Sequence, residues 1–417
     1  MAEKDLITGL DIGSTAIRLA VGQIVGEAEK IHIIGSAEVP AEGISKGIIS
    51  SIEDAVSSLS ACLEKAERMI GRPIESAWVG ISGSHIISQE SRGVVAVARS
   101  DGEISEDDIE RAIEAARTVA TPPNYEILHV IPKSFTVDGQ IGIKDPLGMT
   151  GVRLEVDTQI IQGLSSQIKN LTKAVYRPGV NIEDLVLSIL ATAEAVLTSR
   201  QKELGVAVIN LGGSTTSLAV FEEGDVLHTA VLPIGSDHIT SDIAIGLRIS
   251  IDLAEKIKLE YGQATTAGAG KRDEVDIGEL EGRESNFVSK KYITEISEAR
   301  VEEIFDKIDV ELKKIDKSGK LPAGIVLTGG GAKLTGLVEA AKKRLRLPAS
   351  LGSPLNVTSA IDKVNDLAFS TAVGLVIWGA ELANQRQNSG LGKLFSYLPN
   401  FRQISRQGKR WLKKLIP

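Results

Sequence analysis

The chain is poor in the residues that mark several protein classes. Among 417 residues it has one cysteine, Cys62, three methionines and 4% aromatic residues. A single cysteine excludes a disulfide framework or a thiolate metal cluster and favours a reducing compartment. No apolar run approaches the roughly 20 residues of a membrane-spanning helix, and the charged first residues do not resemble a secretory signal. We therefore expect a soluble globular protein of the cytoplasm.

The charges are unevenly distributed along the chain. The net charge is −8, but the segment from Leu382 to the end carries eight basic residues and no acidic one, which leaves −16 on the remainder. An acidic body is not expected to bind nucleic acid, whereas the basic end suits an anionic partner. The length favours two or more domains.

A short glycine-bearing hairpin occurs twice, 199 positions apart. The first copy, from Ile7 to Val21, contains Asp11-Ile12-Gly13-Ser14-Thr15 between two apolar runs. The second, from Ala207 to Val220, contains Asn210-Leu211-Gly212-Gly213-Ser214, followed by Thr215. Small residues at such a turn let backbone N–H groups reach a phosphate. One copy alone could be an ordinary hairpin turn, but the repetition favours two related halves that hold a polyphosphate between them.

A third glycine cluster, Gly329-Gly330-Gly331, follows an apolar strand and could accept an adenine and ribose against bare backbone. Asp11 could hold Mg²⁺ through water, while Ser14 and Thr15 reach phosphate oxygens. Strands that alternate with helices indicate an α/β fold of two lobes around a nucleotide cleft. The three motifs, in this order, resemble those of the superfamily of actin, the large heat-shock chaperones and sugar kinases, with its duplicated ribonuclease-H-type fold.

Within that superfamily the chain resembles the FtsA family of bacterial cell-division proteins. The segments that carry the resemblance are Leu185 to Leu197, Lys202 to Val206, Pro233 to Gly235, Thr240 to Ala244, Ala254 to Lys258 and Arg300 to Ile304. The stretch from Ser84 to Gly163 fits the extra α+β subdomain of that family. The resulting division assigns residues 1–84, 163–204 and a closing helix at 367–384 to subdomain 1A, 85–162 to inserted subdomain 1C, 205–240 and 319–366 to 2A, 241–318 to 2B, and 385–417 to a linker and a C-terminal amphipathic helix.

The resemblance also implies roles for individual residues. It places Glu255 and Lys258 beside the ribose and adenine, and Glu194 near the attacking water; spacing alone would instead favour a solvated helix face. The family usually has Asp where this chain has Asn210, and an amide cannot supply the negative charge that binds Mg²⁺ or polarises water. We therefore expect ATP binding with slow or absent hydrolysis.

The C-terminal segment has the pattern of a helix that lies in a membrane surface. On a helix, Trp411, Leu412 and Leu415 share one face, while basic residues occupy the others. The residues expected to bind lipid are Lys409, Arg410, Trp411, Leu412, Lys413, Leu415 and Ile416. A disordered basic tail, or a helix docked on the body, is the alternative. One such helix binds reversibly, so many copies in a filament would bind far more firmly.

The family resemblance further implies partners and a location. These are actin-like self-assembly, other division proteins, and the C-terminal peptide of FtsZ, with Lys290, Lys291 and Arg300 in the docking region. The expected location is the cytoplasmic face of the membrane at the division site. A charged surface helix is the simpler account of the three basic residues. Two other functions stay open: a sugar or acetate kinase, for which no carboxylate base is evident, and a related pilus-assembly protein.

The periodicity also predicts individual elements. It predicts helices from Ile52 to Ile70 and from Ile109 to Val119, the latter with a capping-box-like start at Ser105 and Asp108. It further predicts one long helix from His238 to Tyr261, another from Thr294 to Ile315, and a buried strand from Leu185 to Leu190.

Overall fold

The structure is a computed structural model that describes residues 6–25, 30–119, 121–266, 273–278 and 285–388. The predicted membrane-binding residues, 409–416, lie outside this part of the chain. Within the described part, no helix combines the length and the apolar composition needed to cross a bilayer.

Lobe 1 is built on a six-stranded sheet. Its strands are β1 (Ile7–Ile12), β2 (Ala16–Val25), β3 (Lys30–Pro40), β6 (Ser76–Ile81), β11 (Asn181–Leu187) and β19 (Val357–Ser359). They lie in the order β11-β6-β1-β2-β3-β19. Strands β1, β2 and β3 are antiparallel, while β6 and β11 continue the sheet in parallel from β1. A small hairpin, β4 (Ile44–Ser45) and β5 (Ile48–Ile49), follows β3.

Lobe 2 repeats this arrangement. Its strands are β12 (Val206–Leu211), β13 (Thr216–Glu222), β14 (Asp225–Leu232), β17 (Ile325–Thr328) and β18 (Ala349–Leu351), in the order β14-β13-β12-β17-β18. The first three are antiparallel and the last two continue in parallel from β12. Order and direction match β3-β2-β1-β6-β11 of lobe 1, which confirms the duplication predicted from the hairpins.

Helices cover the sheet of lobe 1 and form its hydrophobic core. They are α1 (Ile52–Ile70), α3 (Ser165–Tyr176), α4 (Ser188–Val196) and α10 (Ser370–Asn388). The short helix α5 (Ser199–Leu204) follows α4 and contacts β13 of lobe 2. Helix α1 begins at the cap Ser51 and ends at Gly71, whose φ of 70° suits glycine. Helix α10 packs on both β1 and α4, so the last described helix of the chain closes lobe 1.

The inserted unit has its own sheet and its own core. It consists of β7 (Ile86–Ala96), α2 (Glu106–Val119), β8 (Tyr125–Val137), β9 (Gln140–Ile143) and β10 (Arg153–Leu164). The antiparallel sheet has the order β7-β10-β8-β9, and α2 packs on β7 and β10. The predicted start of α2 is confirmed, because Asp108 accepts hydrogen bonds from the Ser105 backbone N–H at 2.9 Å and hydroxyl at 2.6 Å.

The rest of lobe 2 is mostly helical. Its elements are α6 (Ser236–Leu247), α7 (Ile251–Tyr261), β15 (Glu274–Asp276), β16 (Phe287–Ser289), α8 (Lys290–Lys314) and α9 (Leu337–Leu345). The prediction of one helix from His238 to Tyr261 was wrong. The chain turns at Arg248, with φ of 57°, and Ser250 caps a new helix by accepting the Leu253 N–H at 3.3 Å.

The predicted strand from Leu185 to Leu190 begins and ends too late, because β11 runs from Asn181 to Leu187. Strand β11 ends at Leu187 and α4 begins at Ser188. Both sides of this junction are buried, so the sequence is apolar throughout and carries no change of period to mark the boundary.

Candidate functional site

The two hairpin turns close in the same way. In lobe 1 the Gly13 N–H donates to the Ala16 carbonyl at 3.2 Å, and in lobe 2 the Gly212 N–H donates to the Thr215 carbonyl at 2.9 Å. Strand register fixes both turns, because Ile12 lies opposite Ile17 and Leu211 opposite Thr216.

Each turn leaves backbone donors available. Within the described chain, the N–H groups of Ser14 and Thr15 in lobe 1, and of Gly213 and Ser214 in lobe 2, donate no hydrogen bond to protein. Successive free N–H groups at a turn form a concave site for an anion. The structure therefore provides two backbone anion cradles, one per lobe.

Both cradles line a single cavity of about 580 Å³ between the lobes, a size within the usual range for small-molecule sites. The predicted binding residues that line it are Asp11, Gly13, Ser14, Thr15, Gly212, Gly213, Ser214, Thr215, Glu255, Lys258, Gly329, Gly330 and Gly331. Asn210 lines it as well. The cavity thus brings together three loops that are separated by more than a hundred residues in the sequence.

Two glycines of the cavity differ in what a side chain would meet. A Cβ on Gly213 would lie 1.9 Å from Thr15 Oγ1 of the opposite lobe and 2.6 Å from Asp237 Oδ2. A Cβ on Gly330 would meet nothing within 4 Å, because this glycine faces open space. Gly213 therefore permits the close approach of the two lobes, and Gly330 leaves room for a ligand.

Asp11 is partly buried beside the first cradle. Burial raises the pKa of its carboxyl to about 6, and the positive charge of Arg18 partly offsets that rise. Within the described residues, no group of three or more His, Cys, Asp or Glu side chains is arranged to hold a metal ion. Any divalent cation at Asp11 would therefore need oxygen ligands from water or from a bound phosphate.

Asn210 belongs to a hydroxyl network on the cavity floor. Its Nδ2 donates to Thr371 Oγ1 at 3.0 Å and lies 3.4 Å from Thr192 Oγ1. The two threonine hydroxyls are 2.9 Å apart, and Thr192 also donates to the Ser188 carbonyl at 2.8 Å. The floor beneath the second hairpin is consequently polar but uncharged.

Glu255 and Lys258 form a partly buried ion pair on α7. Lys258 Nζ lies 2.6 Å from Glu255 Oε2 and donates to Thr240 Oγ1 at 2.9 Å, while Thr240 donates to the same Glu255 oxygen. Lys258 is buried and Glu255 is more exposed to the cavity. These residues are therefore not a solvated helix face.

Glu194, which the family resemblance places near the attacking water, forms an ion pair with a lysine. It is not among the cavity-lining residues, and its Oε2 accepts a hydrogen bond from buried Lys202 at 2.8 Å. Lys202 also lies over the ring of Phe221, 5.2 Å from its centroid. The pair links α4 of lobe 1 to β13 of lobe 2.

Sequence reasoning did not identify several charged residues of the cavity. These are Arg18, Glu38, Asp237 and Lys333. Strand register could have found Arg18, since it lies directly opposite Asp11 in the hairpin. Asp237 could not be found in this way, because it reaches the second cradle from the start of α6, where Ser214 Oγ donates to its carboxylate at 3.1 Å.

The three basic residues predicted to bind a partner lie on the first part of α8. Arg300 makes two hydrogen bonds to Asp242, at 2.6 and 2.8 Å. Lys291 pairs with Glu295 at 3.3 Å, and Lys290 lies 5.5 Å from the ring centroid of Tyr261. The exposed side chains of Phe287 and Tyr292 adjoin these residues in the sequence.

Comparison with solved structures defines the class. The chain superimposes on PilM of the PilM-PilN type IV pilus biogenesis complex with a TM-score of 0.67 at 18% identity, covering 91% of this chain and 99% of that one. It also matches MreB5 of Spiroplasma citri in a structure bound to ADP, with a TM-score of 0.54 at 14% identity over 92% and 99% of the two chains. This is the actin-like ATPase fold, here with an inserted domain in lobe 1.

Sequence comparison identifies the family. A profile described as cell division protein FtsA matches residues 207–374, and one described as the SHS2 domain inserted in FtsA matches residues 83–162. Cell division protein FtsA of Pseudomonas aeruginosa is 38% identical over 386 residues, 93% of this chain and 91% of the relative. The Bacillus subtilis protein is 38% identical over 90% of this chain and 84% of its own, and the Escherichia coli protein is 33% identical over 91% of each. The chain belongs to the FtsA family of cell division proteins.

Proposed function

We propose that this chain is an ATP-binding adaptor that polymerises on the cytoplasmic face of the membrane at the division site and holds FtsZ filaments there during septum assembly. One observation carries the nucleotide part: two backbone anion cradles, from two lobes, line one cavity together with a third glycine loop. The MreB5 structures described as bound to ADP and to AMPPNP support a nucleotide in a cleft of this fold.

The cavity residues fit a nucleotide in one orientation. The free N–H groups at Ser14 and Gly213 face phosphates, while Gly330 leaves space for the nucleoside beside Glu255. Mg²⁺ would be held by Asp11 through water together with phosphate oxygens, which supplies charge neutralisation to the phosphates.

Hydrolysis is slow or absent under this proposal. Asn210 occupies the place of the usual carboxylate in the second hairpin, and its amide is hydrogen-bonded to threonine hydroxyls. The carboxylate of Glu194 accepts a hydrogen bond from the Lys202 ammonium group. Neither residue offers a carboxylate base to a water at the phosphates, so nucleotide would act mainly as a structural ligand that holds the lobes together.

The surface of α8 suits a peptide that combines acidic and apolar residues. Lys291 is exposed, and Phe287 and Tyr292 expose apolar area close to it in the sequence. We propose this surface, with Lys290 and Arg300, as the site for the FtsZ C-terminal peptide. Its basic groups would attract the peptide, and its aromatic groups would provide the buried contacts.

Liposome co-sedimentation tests the adaptor function. The full-length chain is mixed with vesicles containing anionic lipid, with and without ATP and a labelled FtsZ tail peptide, and the peptide in the pellet is measured. Trp411→Glu places a charge on the predicted apolar face and should abolish sedimentation of both proteins. Gln403→Glu adds the same charge off that face and should retain most binding. Equal sedimentation of both variants, or a wild-type chain that stays in the supernatant, would refute membrane tethering.

A further inference from the structure

The two hairpins share their backbone geometry but differ in charge. In lobe 1, Asp11 lies opposite Arg18, and Arg18 lies opposite Glu38, on adjacent strands β1, β2 and β3. Directly opposed residues of antiparallel strands project from the same face of a sheet. The three therefore form a row of alternating charge, which we call the charged row, and all three line the cavity.

The equivalent row of lobe 2 carries no charge. There Asn210 lies opposite Ser217, and Ser217 lies opposite Val231. The positive charge nearest the two cradles must therefore come from lobe 1 or from residues outside the hairpins. This asymmetry singles out Arg18.

The guanidinium of Arg18 is held at one edge and available at the other. Its Nε donates to Glu38 Oε1 at 3.0 Å, and its Nη2 lies 2.8 Å from the same oxygen in an ion pair. The second oxygen of Glu38 accepts from Lys363 at 2.9 Å. Within the described chain, Nη1 of Arg18 donates to no protein acceptor, although the side chain is only 17% exposed.

The two lysines that line the cavity, Lys258 and Lys333, form ion pairs with other side chains. Lys258 is buried and bound to Glu255 and Thr240. Lys333 pairs with Asp366 at 2.5 Å, and half of its side chain is exposed. Neither has the combination found at Arg18, namely a position beside Asp11, a fixed side chain and an unused donor.

We propose that Arg18 is a phosphate-binding residue of this cleft, which receives the terminal phosphates of the bound nucleotide through Nη1 while Glu38 holds the opposite edge. This inference rests on the proposed ATP binding and assigns the charge recognition to lobe 1. A planar guanidinium fixed by a carboxylate is already oriented, so little side-chain entropy is lost when an anion binds. Lobe 2 would then contribute backbone donors and the nucleoside contacts, but no phosphate-binding cation from its hairpin.

Calorimetric titration with adenosine, AMP, ADP and ATP tests this assignment in the full-length chain. Arg18→Gln should weaken ATP and ADP binding by about 10- to 100-fold, the usual range for one charge-assisted hydrogen bond. Adenosine and AMP should bind as to wild type, because they lack the terminal phosphates. Arg344→Gln is the matched control: it removes a two-bond pair between Arg344 on α9 and Asp306 on α8, away from the cavity, and should leave all four affinities unchanged.

Glu38→Gln separates phosphate binding from a structural role. If Arg18 only stabilises the sheet through its ion pair, Arg18→Gln and Glu38→Gln break the same contact and should weaken all ligands alike. If Arg18 binds phosphate, Glu38→Gln removes a competing negative charge while its amide oxygen can still accept from Nε, so Arg18 stays oriented and ATP should bind at least as tightly as to wild type. Thermal unfolding of each variant reports whether the lobe remains folded.

The titrations distinguish failure of the nucleotide site from failure of the role of Arg18. A wild-type chain that binds none of the four ligands refutes the proposed nucleotide site itself. If the wild-type chain binds ATP but Arg18→Gln weakens the binding of adenosine and ATP equally, or weakens neither, only the role of Arg18 is refuted. A parallel loss of ATP in Glu38→Gln also overturns it.

Discussion

At the scale of single residues, the second hairpin differs from the first because it contributes no charged side chain to the cavity. Asn210 carries no charge, and its partners Thr192 and Thr371 are hydroxyls with one proton each. The Thr192 proton already goes to the Ser188 carbonyl, so a carboxylate at position 210 would take the Thr371 proton away from the bond between the two threonines.

Asn210→Asp should convert a slow or inactive nucleotide binder into a faster hydrolase. The new carboxylate can hold a hydrated Mg²⁺ or orient a water, and general-base groups contribute about 10²-fold or more. Phosphate release under single-turnover conditions measures the change, with Asn210→Ala as the control that removes the amide without adding charge. A wild-type rate typical of an efficient ATPase would contradict the expectation.

Alanine substitutions at Gly213 and Gly330 should have different effects, because Gly213 lies at the contact between the lobes and Gly330 faces the space for a ligand. Gly213→Ala forces a Cβ against Thr15 and Asp237, and overpacking of this kind costs about 1–3 kcal/mol. Its midpoint of thermal unfolding should fall without nucleotide. Gly330→Ala meets no protein atom within 4 Å, so its midpoint should stay at the wild-type value while nucleotide affinity falls. Equal midpoints for both variants would show that the lobes do not meet at Gly213.

At the scale of elements, the sequence could predict what is periodic or repeated. The hairpin repeat predicted two related halves, and the period of α1 gave both of its ends, because Ser51 and Gly71 are strong boundary residues. The break at Arg248 could not be predicted, since a left-handed turn at an arginine carries no local signal. Similarly, the partner of Glu194 depends on tertiary packing that brings Lys202 to α4.

The start of helix α2 is stabilised by hydrogen bonds to the buried carboxylate of Asp108. Burial raises the pKa of Asp108, but the hydrogen bonds from Ser105, from the Ala98 N–H and from Arg111 outweigh it and hold the pKa far below its ordinary value. The charged form is therefore the native form. Its stabilising contribution is present above the unfolded pKa of about 3.9 and is lost as the pH falls below that value toward the native pKa.

Asp108→Asn should destabilise the inserted unit by about 1–3 kcal/mol at neutral pH, because an amide cannot accept the same set of donors. Denaturant unfolding between pH 3 and pH 7 measures this. The wild-type chain should lose stability below about pH 4, and the difference between wild type and variant should narrow there. Asp107→Asn, on the adjacent exposed position of α2, should show neither effect. A constant difference across the pH range would contradict this role of Asp108.

At the scale of the whole molecule, the inserted unit contacts both lobes. It belongs to lobe 1 by chain connection, and its strand β7 contacts β14 of lobe 2. Lys144, which follows β9, reaches the turn after β13, where it pairs with Asp225 at 2.5 Å and with Glu223 at 3.2 Å. These ion pairs are partly exposed, so each contributes little to global stability.

Lys144→Glu should loosen the inserted unit from lobe 2 and leave the overall fold intact. Three negative side chains would then meet at one place, so amide hydrogen exchange of β14 should accelerate while the unfolding midpoint changes little. Arg99→Glu is the control, because Arg99 pairs with Asp101 and Glu103 inside the inserted unit, and the substitution likewise brings three negative side chains together. Faster exchange of β14 in both variants, or in neither, would show that Lys144 does not hold this contact.

The hydroxyl of Ser82, at the end of β6, lies 3.2 Å from that of Ser217 in lobe 2, and the chain runs from Ser82 almost directly into β7. The longest strands of the inserted sheet extend away from this point, and β10 alone, with 12 residues, is about 40 Å long. Farther along the same sheet, Lys144 meets lobe 2 again through Asp225 and Glu223. The two lobes are therefore joined both at the base of the inserted sheet and near Lys144, so a change in the spacing of the lobes must alter the geometry of both contacts.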